Sequence, residues 1–498
     1  MDSSPPPPAL SVILPVYEAM PYLPSALRDV LKQRLSGDAA LELLVAHDGG
    51  SDGSLDFLLQ LVTALGAPRA SDEVVHADGD GDTEEDGGEL NPALVQPLRA
   101  PEGVDHASFS STPAPVVPMA PLSVAEVAAA ARPEHRLRLL RRADGKNRGQ
   151  GYAMSLAWKH ATAPFVAQME SDDERADVRS YATMLAALDD HPEWDAVSCQ
   201  VELVGWERPG MEAYVRWQNA LTTPDQMRCG RFIEIPALHQ TCLLRRAAIE
   251  AVLTPTGGAY RDGPLRSAGA AGGDAIWAHG ASLDTPVDYW WWLSFYHAGL
   301  VCGKVAPAPR SGEHGDAPSA EEGRTTDPAV FGWRQHPRQH TRTHGRLSLD
   351  NLRRIKAHFL LADGGPLCAC RRVVVISVGA TLQGWVAALR EHPRCAAGEG
   401  VEVVTVSWAP GKKGNAPLPP AARLQPAGRP AAASGGKRKL GASEAAPPAA
   451  PVADEAADAA TSAAATVRVW AFGREEVRRK VRDHVADFAE MATDVFVA

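Results

Sequence analysis

The feature that most constrains this chain is the way its apolar runs end. Residues 9–17 read Ala-Leu-Ser-Val-Ile-Leu-Pro-Val-Tyr, residues 41–46 read Leu-Glu-Leu-Leu-Val-Ala, and residues 164–169 read Pro-Phe-Val-Ala-Gln-Met. Each is a short, nearly continuous apolar run, as a strand buried on both faces requires. Each leads into a polar turn: Tyr17-Glu18, His47-Asp48-Gly49-Gly50 and Glu170-Ser171-Asp172-Asp173. Leu23, Leu27, Val30 and Leu31 recur at helical spacing, and the pattern predicts further helices over 55–65 and 151–160. Strands alternating with helices predict a parallel sheet with crossover helices, an α/β fold. Ligands bind such sheets outside the carboxyl ends of the strands, so the three turns are expected on one functional edge.

The rest of the chain continues the pattern with interruptions. Residues 136–140 and 194–203 read as strands, 179–188 and 213–229 as helices, and 286–298 as an aromatic-rich helix carrying Asp288. Residues 67–133 break the alternation with an acidic, Gly-rich stretch at 78–88 and a Pro-rich one at 112–121, and predict a disordered insertion. The first domain is expected over 9–306, followed by a basic helical segment at 329–362. A smaller α/β module is expected over 371–498, opening on Val-Val-Val-Ile-Ser-Val-Gly379 and interrupted by an Ala/Pro/Gly-rich linker at 410–465. That opening lacks Gly-x-Gly-x-x-Gly, so a dinucleotide site is not expected there.

Composition narrows the function classes. The net charge of −11 argues against a general nucleic-acid coat, and seven sparse cysteines imply no disulfide framework. A reducing, cytoplasmic compartment is therefore expected. The sequence contains no apolar run long enough to span a membrane, and the start Met-Asp-Ser-Ser-Pro-Pro-Pro-Pro lacks a basic flank, so neither a span nor a secretory signal is expected.

Asp48, the Glu170/Asp172/Asp173 group and Asp288 all follow or flank predicted strand ends. Transfer from a nucleotide sugar needs carboxylates in such places. One holds the base or ribose, a second group holds Mg²⁺ or Mn²⁺ through oxygen ligands, and a third takes the acceptor's proton. The ordered motifs Pro15-Val-Tyr-Glu18, His47-Asp-Gly-Gly-Ser-Asp-Gly-Ser54, Lys146-Asn-Arg-Gly-Gln-Gly-Tyr-Ala153 and Glu170-Ser-Asp-Asp173 resemble a family 2 glycosyltransferase of GT-A fold. Further downstream, Tyr214-Val-Arg-Trp217, Asn219–Gln226, Pro286-Val-Asp-Tyr-Trp-Trp-Trp292, Trp333-Arg-Gln-His-Pro337 and Trp470-Ala-Phe-Gly473 narrow the likeness. They are similar to the beta-1,3-N-acetylglucosaminyltransferase-like protein 1 group, which includes a queuosine-tRNA galactosyltransferase.

The resemblance implies roles. Pro15, Tyr17 and Glu18 would line the nucleotide pocket, and Asp48 would contact uracil. Asn147 and Gly149 would form the turn bordering the donor, and Glu170 and Ser171 would face the sugar nucleotide. Asp172 and His336 would attend Mn²⁺ or Mg²⁺, and Asp288 would be the general base of an inverting transfer from a UDP-sugar. The implied acceptor is queuosine in tRNA and the implied sugar galactose. The alternatives are hexosyl or N-acetylglucosaminyl transfer to a glycan, lipid or protein, and an inactive homologue acting as a tRNA- or protein-binding module. Three departures from the family pattern bear on that last reading: Glu170 where Asp is usual, Val287 where an acid usually precedes the base, and Met154-Ser155 after Ala153.

Each residue also has a plainer reading. Asp48-Gly49 is a common turn pair, Asp173 suits a helix N-cap, and the Trp cluster suits core packing. His336, His340 and His344 recur every four residues, yet no His-Glu-x-x-His pattern supports zinc. The cations between Arg334 and His358 read either as a solvated face or as phosphate contacts.

Overall fold

In the computed structural model of the 498-residue chain, the described residues are 7–37, 39–66, 73–75, 121–142, 145–147, 149–205, 209–253, 287–305, 330–336, 348–396, 401–408, 466–472, 474–485, 488 and 494–498. They fall into two compact units: Met1–Arg231 with Ile235–Leu352, and Phe232–Glu234 with Arg353–Ala498.

The first unit alternates strand and helix as its sequence predicts. It runs β1 (Leu10–Val16), α1 (Leu23–Leu31), β2 (Leu41–His47), α2 (Ser54–Ala64), β3 (Glu73–Val75), α3 (Val124–Ala130), β4 (Arg136–Arg142), α4 (Gln150–His160) and β5 (Phe165–Gln168). It continues with α5 (Ser180–Asp190), β6 (Ala196–Ser198), β7 (Gln200–Gly205), α6 (Pro209–Ala220), α7 (Pro224–Gly230), β8 (Cys242–Arg245), α8 (Arg246–Leu253), α9 (Val287–His297), β9 (Cys302–Lys304) and β10 (Val330–Gln335). Eight strands form one mixed sheet in the order β3-β4-β2-β1-β5-β8-β6-β9. Its pairings are parallel except where β8 runs antiparallel to β5 and β6. The central strands are buried along their whole length, which is why they carry apolar runs rather than alternation. Two polar residues within them satisfy each other: Ser11 donates to Glu42 at 2.6 Å, and Glu42 also accepts from the Thr162 amide at 2.6 Å.

The order sets the functional edge. From β1 the chain goes first to β2 on one side and later to β5 on the other, so β1 lies at a change of winding direction. The carboxyl ends of β1, β2 and β5 therefore open side by side.

Several sequence expectations are redrawn. The strand expected over 194–203 is two strands in two sheets, β6 in the large one and β7 paired with β10. The break falls at Cys199, whose amide leaves the strand pattern for the Thr241 carbonyl. The helix expected over 213–229 is two, because Thr223 restarts the chain with its own capping box. Within the expected insertion, β3 pairs with β4, and α3 carries a Ser123–Glu126 capping box. Residues 76–120 of that span lie outside the described residues, as do 307–328 and the linker at 410–465. Within the segment expected as basic and helical, 330–335 is a strand, and a helix occupies Leu349–Leu361. Apolar Val330, Phe331 and Trp333 explain the strand, since the last two are buried in it.

The second unit carries a smaller α/β sheet. Strands β11 (Arg372–Ser377), β12 (Glu402–Ser407), β13 (Thr466–Ala471) and β14 (Asp494–Val497) form a parallel sheet in the order β12-β11-β13-β14. Helices Gly379–Glu391 and Glu475–His484 follow β11 and β13. A buried ion pair, Arg468 with Asp494 at 2.6 Å, joins β13 to β14, and the Trp470 indole donates to the same carboxylate at 2.6 Å. Lys356 is buried too, its ammonium spent on the carbonyls of Ile233 and Ala498 at 3.0 and 2.7 Å.

Candidate active site

The three polar turns meet at the carboxyl ends of β1, β2 and β5, joined by side-chain contacts to backbone amides. Pro15 is packed inside β1, while Tyr17 just beyond it is 41% exposed. Glu18 has a φ of 48°, unusual for a residue with a Cβ, and its carboxylate accepts from the Ser51 amide at 2.8 Å. Asp52 returns the contact, accepting from the Met20 amide at 2.7 Å. The turns after β1 and β2 are thus latched by one carboxylate from each.

Asp48 is 5% exposed and its Oδ2 accepts from the Gly149 amide at 2.7 Å. Gly149 precedes α4, so the carboxylate sits at that helix's positive end. Asn147 Oδ1 shares the same amide at 2.8 Å. The approach depends on glycine: Gly49 has a φ of +82°, and a Cβ there would lie 2.7 Å from the Gly145 carbonyl. Asp48 therefore does more than turn the chain, for it binds the loop before α4 to the end of β2.

Residues 170–174 leave β5 into a crowded acidic corner. The Glu170 carboxyl accepts from the side-chain amides of Gln150, at 2.7 Å, and Gln168. Although the residue keeps some exposure, its carboxyl group is enclosed. Burial, then the charge of Asp172, and more weakly that of Asp288, push it up to about 8. Asp288 is in the first turn of α9. Ser171 is half-buried between the two acids.

Asp172 Oδ2 lies 2.8 Å from His336 Nε2, across 164 residues of sequence. The His336 ring also packs on Tyr22, centroids 4.9 Å apart. Arg334, two residues earlier, donates from Nε to the Asp172 carbonyl at 2.8 Å, pairs with Glu174, and lies over the Tyr22 ring. It is buried and committed, which removes it from the phosphate-binding face read along 334–358. His336 ends a strand rather than riding a helix, so the four-residue histidine spacing does not describe its surroundings; His340 and His344 lie outside the described residues.

Asp173 caps no helix. The next one, α5, starts at Ser180 after an Arg179 N-cap. Asp173 instead accepts from the Arg334 amide at 2.9 Å and from the Gln240 side chain at 3.2 Å. Burial, with Asp172 and Glu170 adding like charge, holds its carboxyl well above the usual range.

The aromatic helix is core. Tyr289, Trp291, Trp292 and Phe295 of α9 are each at most 3% exposed, Trp290 is half-buried, and Asp288 at the helix start is partly accessible. Trp291 stacks on His239 with ring centroids 4.6 Å apart, and burial pushes that imidazole down to about 3. Gln240 escaped the sequence reading. Asp52 and Arg334 stood inside quoted motifs, His47–Ser54 and Trp333–Pro337, but nothing local showed which groups their side chains would hold.

Among the described residues, no group of three or more His, Cys, Asp or Glu side chains is arranged to hold a metal. Asp172 and His336 form a pair, one oxygen and one nitrogen donor. A hard divalent ion that takes its other oxygens from phosphate and water fits such a pair. Among the described residues, no helix is long and apolar enough to cross a membrane.

Neither a scan of protein-family models nor a search of curated proteins matches the chain. Solved structures similar to it include Staphylococcus aureus TarS, at 13% identity and a TM-score of 0.36 over 71% of this chain and 40% of that one. The chain thus spans about two fifths of that TarS chain. TarS 1–349 in complex with UDP aligns at 14% identity and a TM-score of 0.37, over 71% of this chain and 66% of that one. The mannosyltransferase PcManGT from Pyrobaculum calidifontis, in complex with GDP-Man and Mn²⁺, aligns at 16% identity and a TM-score of 0.34, over 72% and 65%. Likenesses this distant say nothing of substrate or of individual residues.

Proposed function

We propose that the first unit is a GT-A-type glycosyltransferase that moves a hexose from a UDP-sugar to an acceptor hydroxyl with inversion. The carrying observation is the Asp172–His336 contact at 2.8 Å, placed at the carboxyl edge of the central strands with Asp48 on the same edge. In this reading Asp48 and the Asn147–Gly149 turn hold the uridine, with Tyr17 exposed beside them. Glu170 and Ser171 face the donor. Asp172 and His336 are the residues that would hold Mn²⁺ or Mg²⁺. Bound there, the ion supplies Lewis-acid neutralisation of the departing diphosphate.

Asp288 is the general base. It is partly accessible at the start of α9, where a carboxylate can take the proton of an acceptor hydroxyl. The freed oxygen attacks the anomeric carbon from the face opposite UDP, and the C–O bond to the diphosphate breaks. The motif set at 15–18, 47–54, 146–153, 170–173, 286–292 and 333–337 favours galactose as the sugar and queuosine in tRNA as the acceptor.

The test is transfer by the purified chain from labelled UDP-galactose with Mn²⁺, offering tRNA with and without queuosine. Label in queuosine-containing tRNA alone is the expected result. UDP release with no labelled tRNA would discard the acceptor and keep the transferase. No UDP release from any UDP-sugar would sink the enzyme reading.

A further inference from the structure

We infer that Asp173 is a positioning residue for the proposed donor site and not a ligand in it: its carboxylate docks β10 onto the end of β5 and so sets His336 against Asp172. The inference rests on the donor-site reading above for its consequence, though its geometry stands by itself.

In the run Glu170-Ser-Asp-Asp173 the two adjacent aspartates are chemically alike, and the resemblance alone set Asp172 apart as the metal residue. The fold separates them. Asp172 is 26% exposed and meets His336. Asp173 is 2% exposed, with Oδ1 occupied by the Arg334 amide and Oδ2 by the Gln240 side chain. One of those donors is a backbone N–H of β10, so the contact is made only while that strand keeps its register.

Neighbouring contacts point the same way. Glu174 and Gly332 exchange backbone hydrogen bonds at 2.9 and 3.0 Å. A Cβ at 332 would lie 3.0 Å from Val204 Cγ2 and 3.2 Å from Glu174 Cβ, so this approach favours glycine. Arg334 then grips the Asp172 carbonyl and the Glu174 carboxylate. A one-residue slip of β10 would carry His336 along by ~3.3 Å and turn it to the opposite face. Either change breaks a 2.8 Å contact.

Asn at 173 keeps an acceptor for the Arg334 amide, and the Gln240 amide can turn to present its oxygen to the new donor. Ala keeps neither contact. A metal ligand would behave otherwise, since Asn lacks the charge.

The experiment measures Mn²⁺ affinity in the presence of UDP for the full chain, together with amide hydrogen exchange over 330–336, in wild type, Asp173→Ala, Asp173→Asn and Gln240→Ala. Asp173→Ala is expected to weaken Mn²⁺ binding by about 10-fold or more, the scale of lost support around a metal site, and to speed exchange over 330–336. Asp173→Asn is expected to stay close to wild type in both. Asp173→Asn binding as weakly as Asp173→Ala, with 330–336 still protected, would make Asp173 a ligand and overturn the inference. Unchanged affinity and exchange in Asp173→Ala would overturn it too. Should Asp173→Ala fail to fold, Gln240→Ala carries the test, with faster exchange over 330–336 expected and unchanged exchange overturning. If wild type binds no Mn²⁺ with UDP, the donor-site reading fails, and exchange alone decides whether Asp173 docks β10.

Discussion

His336 Nε2 stands 2.8 Å from Asp172 Oδ2, although 164 residues separate them. An imidazole and a carboxylate this close, with the carboxylate partly exposed, form the part of the site suited to a divalent ion. Asp172→Ala is expected to weaken Mn²⁺-dependent UDP binding by about 10- to 100-fold, with a smaller loss for His336→Ala. Titration calorimetry with and without Mn²⁺ reads both. Equal UDP affinity in Asp172→Ala would remove the metal from this place.

Asp288 is expected to act in the chemical step alone. Asp288→Asn should leave UDP affinity intact and lower turnover by roughly 10²- to 10⁴-fold, the range for a lost general base. Full activity in this variant would put the base elsewhere on the edge.

Gly49 makes the Asp48 turn possible. With a φ of +82° and the Gly145 carbonyl 2.7 Å from any added Cβ, Gly49→Ala is expected to cost ~1–3 kcal/mol and to weaken UDP binding. Thermal unfolding and calorimetry check the two effects, and a variant unchanged in both would mean that the loop before α4 yields freely.

His239 gives the first unit an acid-side weakness. Burial holds its imidazole near 3, against an ordinary value of 6.5. Between those values the unfolded chain takes up a proton that the folded chain refuses, so this group lowers stability as pH falls below 6.5. At ~1.36 kcal/mol per unit, the loss reaches roughly 2 kcal/mol near about pH 5. His239→Phe keeps a ring against Trp291 and is expected to flatten that part of the melting-temperature profile. The same acid slope in the variant would assign it to other groups.

In the second unit, Asp494→Ala leaves Arg468 buried without its carboxylate and takes the Trp470 indole's acceptor away. Breaking a buried pair from one side costs about 3–5 kcal/mol. Denaturant unfolding should show that loss, and a shift within error would mean that the arginine finds another partner or water.

Much of the fold was legible because burial on both faces leaves a plain trace. Strands β1, β2 and β5 are apolar runs, and the helices between them keep their spacing. The short strands were not legible. β8 and β9 hold four and three residues with no polar turn motif to bound them, and β10 lies in a stretch whose many cations masked its short apolar run. The split at Cys199 is of the same kind, since nothing local tells 196–198 from 200–205 until Thr241 captures the amide.

The candidate site divides likewise. Asp48, Glu170 and Asp172 could be placed on one edge from the chain alone, because they follow apolar runs that read as parallel strands, whereas Asp288 opens a helix and was singled out by the family resemblance. Local pattern set the alternation, the edge where the polar turns gather, and the residue types found there. Packing across the chain put Asp172 against His336, buried Asp173 against the Arg334 amide and Gln240, and spent the Arg334 side chain on the Asp172 carbonyl. Those choices depend on contacts across more than 60 and 160 residues. The physical reason is that local periodicity records which face of an element is buried, whereas the partner of a buried carboxylate is set by which strand pairs where.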